Sequence, residues 1–292
     1  MARSKSGSFV LAWIWAVCGM ASAQEWPEPT IADIVYAVVD ERELALDLHI
    51  PKGVANPPLL IWIHGGAWQR RSKAEIYTTD LVDEGFAIAS VDFRNSVDAP
   101  FPAQIHDIKA AIRFLRAHAE RYGYDASQIG IHGRSSGGHL TALVGTTNGH
   151  SELEGDVGGH FGESSDVQAV VSYFGASNLN TILPQSTATH RPMRTEAVAL
   201  LLGTTPEESP ELAALASPVT HVDPSDPPLL LLHGDQDPQM PINQAHELHG
   251  KYKQHGLLVG FEVLHGAAHG GDAFFDAQRT QLVAEFLHQH LR

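Results

Sequence analysis

The chain has 292 residues, of which 43% are hydrophobic and 18% charged, enough apolar material for a sizeable core and a composition that excludes a disordered chain. Acidic residues outnumber Lys and Arg by 34 to 19, and the resulting formal net charge of −15 argues against nucleic acid or an anionic membrane as partner. The single cysteine, Cys18, rules out an internal disulfide.

In chain order, the first predicted element is a secretory signal over residues 1–23. Arg3 and Lys5 precede the apolar run from Phe9 to Val17, and Ala21-Ser22-Ala23 supplies small residues for cleavage before Gln24. The apolar run is shorter than the roughly 18 to 20 residues needed to cross a bilayer, so no membrane span is expected in the mature chain. Val17, ahead of Cys18, is not the small residue expected of a lipoprotein cleavage site. Export, to the periplasm or the extracellular space, would remove Cys18 and the two positive charges Arg3 and Lys5, taking the formal charge from −15 to −17.

Leu44 to Ile50 alternates with period two and is expected to belong to an antiparallel edge near the N-terminus. Apolar runs then predict buried strands at Leu59 to Ile63, Ala87 to Val91, Gln128 to His132, Ala169 to Phe174, Leu229 to His233 and Gly260 to Leu264. Ile105, Ile108, Ile112 and Leu115 recur at helical spacing and predict a helix over Ala103 to Arg121; Phe275, Leu282, Phe286 and Leu287 mark a C-terminal one. The alternation predicts an α/β fold, a mostly parallel central sheet with helices on both faces, in a single domain over residues 24–292. Two irregular stretches, residues 148–166 and 177–226, are candidate lid segments.

Gly133-Arg134-Ser135-Ser136-Gly137-Gly138 fits G-x-S-x-G between a predicted strand and a helical run, the context in which a sharp turn presents a serine hydroxyl at a helix start. Gly133 and Gly137 remove side chains that would clash in so tight a turn. His64-Gly65-Gly66-Ala67-Trp68 follows the strand at Leu59 to Ile63, where backbone N–H groups can meet an oxyanion; the expected donors are Gly66, Ala67 and Ser136. A serine nucleophile needs a base and the base needs an acid, in the chain order Ser, acid, His. Asp237 is the favoured acid, with Asp235 as alternative; His269, on a Gly- and Ala-rich loop, is favoured over His265 as base. The expected triad is therefore Ser135, Asp237 and His269.

Other polar groups carry weaker signals. His246 and His249 flank Glu247 but lack the spacing of a zinc-peptidase helix. Glu152, Glu154 and Asp156 lie in a glycine-rich loop without the regular spacing of a calcium loop. Arg94 and Asp107 are a candidate ion pair. No cofactor or metal is expected.

These motifs resemble the α/β-hydrolase superfamily, within it the carboxylesterase and lipase group with His-Gly-Gly-x-Trp, near bacterial feruloyl and acetyl xylan esterase-like enzymes. The likeness spans Leu44 to the C-terminus and is clearest at Ile61 to Trp68, Ile129 to Leu140, Leu153 to Gly175 and Leu232 to Pro241. It implies cofactor-free hydrolysis of carboxylic esters, either small molecules or acetyl or feruloyl groups linked to plant polysaccharides. Two departures are Ser136, where Ala is usual, and Gly175-Ala176-Ser177-Asn178, where relatives tend to show Gly-Pro-Thr-Asp. An arylformamidase-like amide hydrolase shares the His-Gly-Gly-x-Trp likeness, and a non-catalytic binding protein on the same fold is the alternative from outside enzymology.

Overall fold

The computed structural model describes residues 26–291. The expected signal, residues 1–23 with Cys18, lies outside the described residues. Eight strands form one sheet: β1 (Ile31–Val39), β2 (Arg42–His49), β3 (Pro58–Ile63), β4 (Ala87–Val91), β5 (Asp125–Arg134), β6 (Ala169–Tyr173), β7 (Leu229–Gly234) and β8 (Val259–Leu264). Their order is β1-β2-β4-β3-β5-β6-β7-β8; β1 and β2 pair antiparallel, as do β2 and β4, and the rest pair parallel. The helices are α1 (Asp80–Asp83), α2 (Ala103–Ala117), α3 (Ala119–Tyr122), α4 (Ser136–Gly145), α5 (Ile182–Gln185), α6 (Arg191–Leu202), α7 (Pro210–Leu215), α8 (Pro218–His221), α9 (Asn243–Gln254) and α10 (Ala277–His290).

The continuous apolar runs follow from burial on both faces. In β3, Leu59, Ile61 and Ile63 point into one core, which α2 and α4 cover, while Leu60 and Trp62 point into the other, beneath α1 and α10. In β7, Leu229 and Leu231 separate from Leu230 and Leu232 in the same way. Because parallel strands all run one way, β5, β7 and β8 deliver their following loops to one edge of the sheet, where crevices for ligands form.

Three expectations are refined. The predicted helix over 103–121 is interrupted at His118, whose Nδ1 lies 2.8 Å from the carbonyl oxygen of Phe114, and resumes as α3 until Gly123 adopts a left-handed C-cap. Strand β1 has no counterpart in the sequence reading: it is an edge strand with register shifts, and its apolar residues Val35 and Val38 face solvent. The segment 148–166, a candidate lid, is tied to α2, because that helix carries buried cations needing acceptors. Arg113 bonds Glu154 and the carbonyl of Val157 (2.8 Å), Arg116 bonds the carbonyl of Asp166 (2.8 Å), and no hydrogen bond or ring contact from the segment reaches Ser135, Asp237 or His269 among the described residues.

Glu154 also accepts from Ser165 (2.6 Å) and lies 3.4 Å from Lys109 Nζ, so this carboxylate of the glycine-rich loop answers two buried cations. Replacement by Leu would leave Lys109 and Arg113, which are 0% and 1% exposed, with backbone carbonyls but no countercharge. Glu154→Leu is expected to cost about 3 kcal/mol, read as a lowered urea midpoint.

Candidate active site

Strand β5 ends at Arg134 and α4 begins at Ser136, leaving Ser135 alone to turn the chain, at φ 54° and ψ −121°. For a residue with a side chain this is a strained conformation, held because the surroundings allow no other. A Cβ on Gly133 would stand 2.7 Å from the Ile63 carbonyl oxygen, and one on Gly137 would overlap the carbonyls of Ile63 and His64. The elbow is thus wedged backbone against backbone beneath the loop that follows β3. Ser135 N–H also donates to the Tyr173 carbonyl (2.9 Å), tying the turn to β6.

Ser135 Oγ lies 2.8 Å from His269 Nε2, and His269 Nδ1 lies 2.6 Å from Asp237 Oδ2. A carboxylate beside Nδ1 keeps the proton there, so Nε2 is left to accept from the serine hydroxyl. The Asp237 side chain is fully buried; its Oδ1 accepts the N–H groups of Gln239 and Met240, both at 2.8 Å, and its Oδ2 lies 3.4 Å from His233 Nε2. Burial by itself would raise this carboxyl, but the hydrogen bonds from His233 and His269 hold it well below the ordinary carboxylate range. His269 is lowered from its ordinary value chiefly by burial, against the pull of Asp237 and with help from Arg194 and His233, so the imidazole is neutral at pH 7. The alternatives pair with each other elsewhere: His265 Nδ1 lies 2.8 Å from Asp235 Oδ2, with the His265 side chain 85% exposed.

On the other side of the serine, Gly66, Ala67 and Trp68 all have positive φ (112°, 56° and 62°). The N–H groups of Gly66 and Ala67 have no acceptor among the described residues, and Ser136 opens α4, where first-turn N–H groups lack intrahelical partners. Trp68 fixes this loop from below: its carbonyl accepts from Ser96 N–H (2.7 Å) and its Nε1 donates to His139 Nδ1 (3.1 Å). His139 in turn donates from Nε2 to the Ala216 carbonyl (2.7 Å), and burial lowers its pKa to about 4, consistent with the single neutral tautomer those two partners require.

Residues 46–252 match a family model described as BD-FAE. The chain belongs to the BD-FAE family. It is 31% identical over 240 residues to Esterase LipC of Mycobacterium tuberculosis, an alignment covering 80% of this chain and 58% of that protein; Esterase LipQ of the same organism is 30% identical over 253 residues, again covering 58% of its length. The chain thus spans somewhat over half the length of these relatives. Among solved structures, a truncated carbohydrate esterase from gut microbiota superimposes with a TM-score of 0.80 at 33% identity, covering 91% of this chain and 98% of that one. The bifunctional GH43-CE of Bacteroides eggerthii gives 0.81 at 34% identity, covering 88% and 35%. The α/β-hydrolase fold expected from the sequence is that of these neighbours.

Three polar groups around the site of this BD-FAE chain carry no sequence motif of their own. His233 ends a buried strand and braces Asp237. His139 links the elbow helix to the loop at Trp68. Arg194, on α6 within the irregular segment 177–226, donates from Nη2 to the Gln239 carbonyl (2.6 Å) and is 3% exposed. Nothing in that segment's spacing points to it; only the fold brings α6 over the acid turn. The zinc and calcium alternatives find other uses: Glu247 accepts from Asn178 and Thr181, His246 and His249 pack against Phe261, and no cluster of three metal-ligating side chains occurs among the described residues. Since the charge of Arg194 lowers the His269 pKa, Arg194→Met is expected to raise it. An NMR titration of the His269 ring in the Ser135→Ala background reads this without recourse to activity. Ser136 Oγ is buried without a partner, and Ser136→Ala is expected to be neutral or to stabilise by up to about 1 kcal/mol in urea unfolding.

Proposed function

We propose that this BD-FAE family member is a serine carboxylic ester hydrolase, with Ser135 as nucleophile, His269 as base, Asp237 as acid and the N–H groups of Gly66, Ala67 and Ser136 as oxyanion donors. The observation that carries it is the unbroken line from Ser135 Oγ through the His269 ring to the buried Asp237 carboxylate, at 2.8 and 2.6 Å. Ser135 Oγ attacks the ester carbonyl carbon while its proton passes to His269 Nε2, and the carbonyl electron pair moves onto oxygen, facing the free N–H groups. Collapse of this intermediate expels the alcohol, which takes the proton from His269 and leaves the acyl group on Ser135. Water then gives a proton to the same nitrogen, attacks the acyl carbon and releases the acid, and the proton returns to Ser135.

The substrates are small acyl or aryl esters, acetyl or feruloyl groups of plant polysaccharides among them; the likeness to a carbohydrate esterase at 33% identity supports that class. In the same proposal, residues 1–23 direct export and are removed, and residues 177–226, joined to the acid turn through Arg194, shape the space above the serine.

A fluorophosphonate probe is expected to label wild-type protein at Ser135 and to leave Ser135→Ala unlabelled. Turnover of p-nitrophenyl acetate should fall on the order of a millionfold in that variant, and retention of more than about a thousandth of wild-type turnover would exclude Ser135 as nucleophile. N-Formylkynurenine assayed alongside separates ester from amide hydrolysis. Because the base must be neutral and its pKa is depressed, kcat/KM should hold as pH falls through the ordinary histidine value of 6.5 and decline only below it; an acid limb above 6.5 would contradict His269 as base.

A further inference from the structure

A cleft of about 570 Å³ opens beside the elbow, between the chain following β3 and the chain following His269; Trp26, Tyr77, Arg134, Gly271, Asp272 and Phe275 lie along it. It adjoins the reacting serine through the backbone. Arg134 immediately precedes Ser135, and a Cβ on Gly65 would touch both Ser135 Cβ (3.3 Å) and Arg134 Nε (3.5 Å). One wall is aromatic: the ring of Tyr77 meets those of Trp26 (4.7 Å) and Phe275 (5.1 Å).

Arg134 is the anomaly in this cleft. Its guanidinium lies over the Tyr77 ring at 4.2 Å, and its Nε is buried without any hydrogen-bond partner. Among the described residues it forms no ion pair, although acidic residues outnumber basic ones 34 to 19. Arg42, Arg71, Arg94, Arg113 and Arg279 all hold carboxylates, and Arg116, Arg191 and Arg194 hold carbonyls. Arg70 and Arg121, which hold neither, are exposed to water, whereas Arg134 is half-buried. Two carboxylates line the same cleft, yet neither reaches it: Asp276 caps α10 and meets Arg279, and Asp272 is exposed. A stacked, planar cation with no carboxylate partner is preorganised for one, and the aromatic wall suits a flat or CH-rich ring.

We propose that this cleft is a subsite for the part of the substrate beyond the ester bond, and that it selects a ring carrying a carboxylate, which Arg134 binds. It rests on the esterase reading of Ser135. A ring acid has two chemical sources, an aromatic acid or an acidic sugar, so the test has an arm for each. In the first, calorimetry with Ser135→Ala compares 4-acetoxybenzoate with the neutral 4-acetoxybenzamide. In the second, the O-acetylated methyl glycoside of glucuronic acid is compared with that of glucose.

The acid is expected to bind about tenfold to a hundredfold more tightly than its neutral partner in at least one arm, the range of a charge-assisted bidentate hydrogen bond. Adding Arg134→Gln should abolish the preference, and Arg134→Lys should retain only part of it. The arm that shows the preference names the source. Equal binding of acid and neutral partner in both arms, or a preference that survives Arg134→Gln, overturns the proposal. Turnover by the wild type is read separately: preferential binding to Ser135→Ala without cleavage of any ester by the wild type would sink the esterase reading and leave the subsite standing.

Discussion

A carboxylate taken wholly out of water is the constraint on which the rest of this molecule depends. Asp237 has no exposed side-chain surface, and such a charge is tolerated only when its oxygens are answered by donors. The answers come from separate places: two N–H groups of its own turn, the ring of His233 at the end of β7, and the ring of His269 from the loop after β8. The last of these orients the imidazole, and the oriented imidazole faces the serine that β5 and α4 hold in a conformation it would not adopt alone. The acid therefore does more than tune a proton affinity, because satisfying it draws the carboxyl ends of β7 and β8 to one point beside β5.

The opposite wall is built differently. Among the described residues its unpaired groups are the backbone N–H of Gly66 and Ala67, which no side chain can aim directly, so packing beneath the loop must do it. Trp68 is the anchor, through Ser96 at its carbonyl and His139 at its indole nitrogen, and His139 carries the connection to Ala216 in the segment above. The strained elbow and the loop after β3 share contacts so tight that glycine is needed at both 133 and 137. A side chain at either position would push Ser135 away from His269 and from the N–H groups of the loop after β3 in the same movement.

Much of this was legible in the sequence where local chemistry leaves a local trace. Buried parallel strands appear as unbroken apolar runs, and β3, β4 and β7 fall at or within a residue of those expected. Ser135, Asp237 and His269 could be nominated because glycine-rich turns follow three such runs, and the structure brings the three together. Strand β1 left little trace, since an irregular edge strand with one wet face has neither a continuous nor a clean alternating pattern. Glycine and acid content marks 148–166 as irregular without saying what it packs on; buried Lys109 and Arg113, with half-buried Arg116, decide that. Arg194 left no trace for a related reason: its importance lies in a contact 45 residues away, which only the fold brings together.

The departure at Gly175-Ala176-Ser177-Asn178 bears on whether the segment above the site moves as a lid. The N–H groups of Ser177 and Asn178 both donate to Gln244 Oε1, at 2.9 and 2.8 Å, and Ser177 Oγ donates to the Gln244 carbonyl. Asn178 also reaches Glu247, and Leu179 N–H donates to Ser217 Oγ. Gln244 is fully buried, so water does not compete for these bonds. Farther along, the segment is held again, by Arg194 on Gln239 and by Phe101 N–H on the Leu201 carbonyl. Hydrogen bonds at Ser177 to Leu179 and again at Arg194 and Leu201 thus tie the segment to α9, to the acid turn and to the chain before α2.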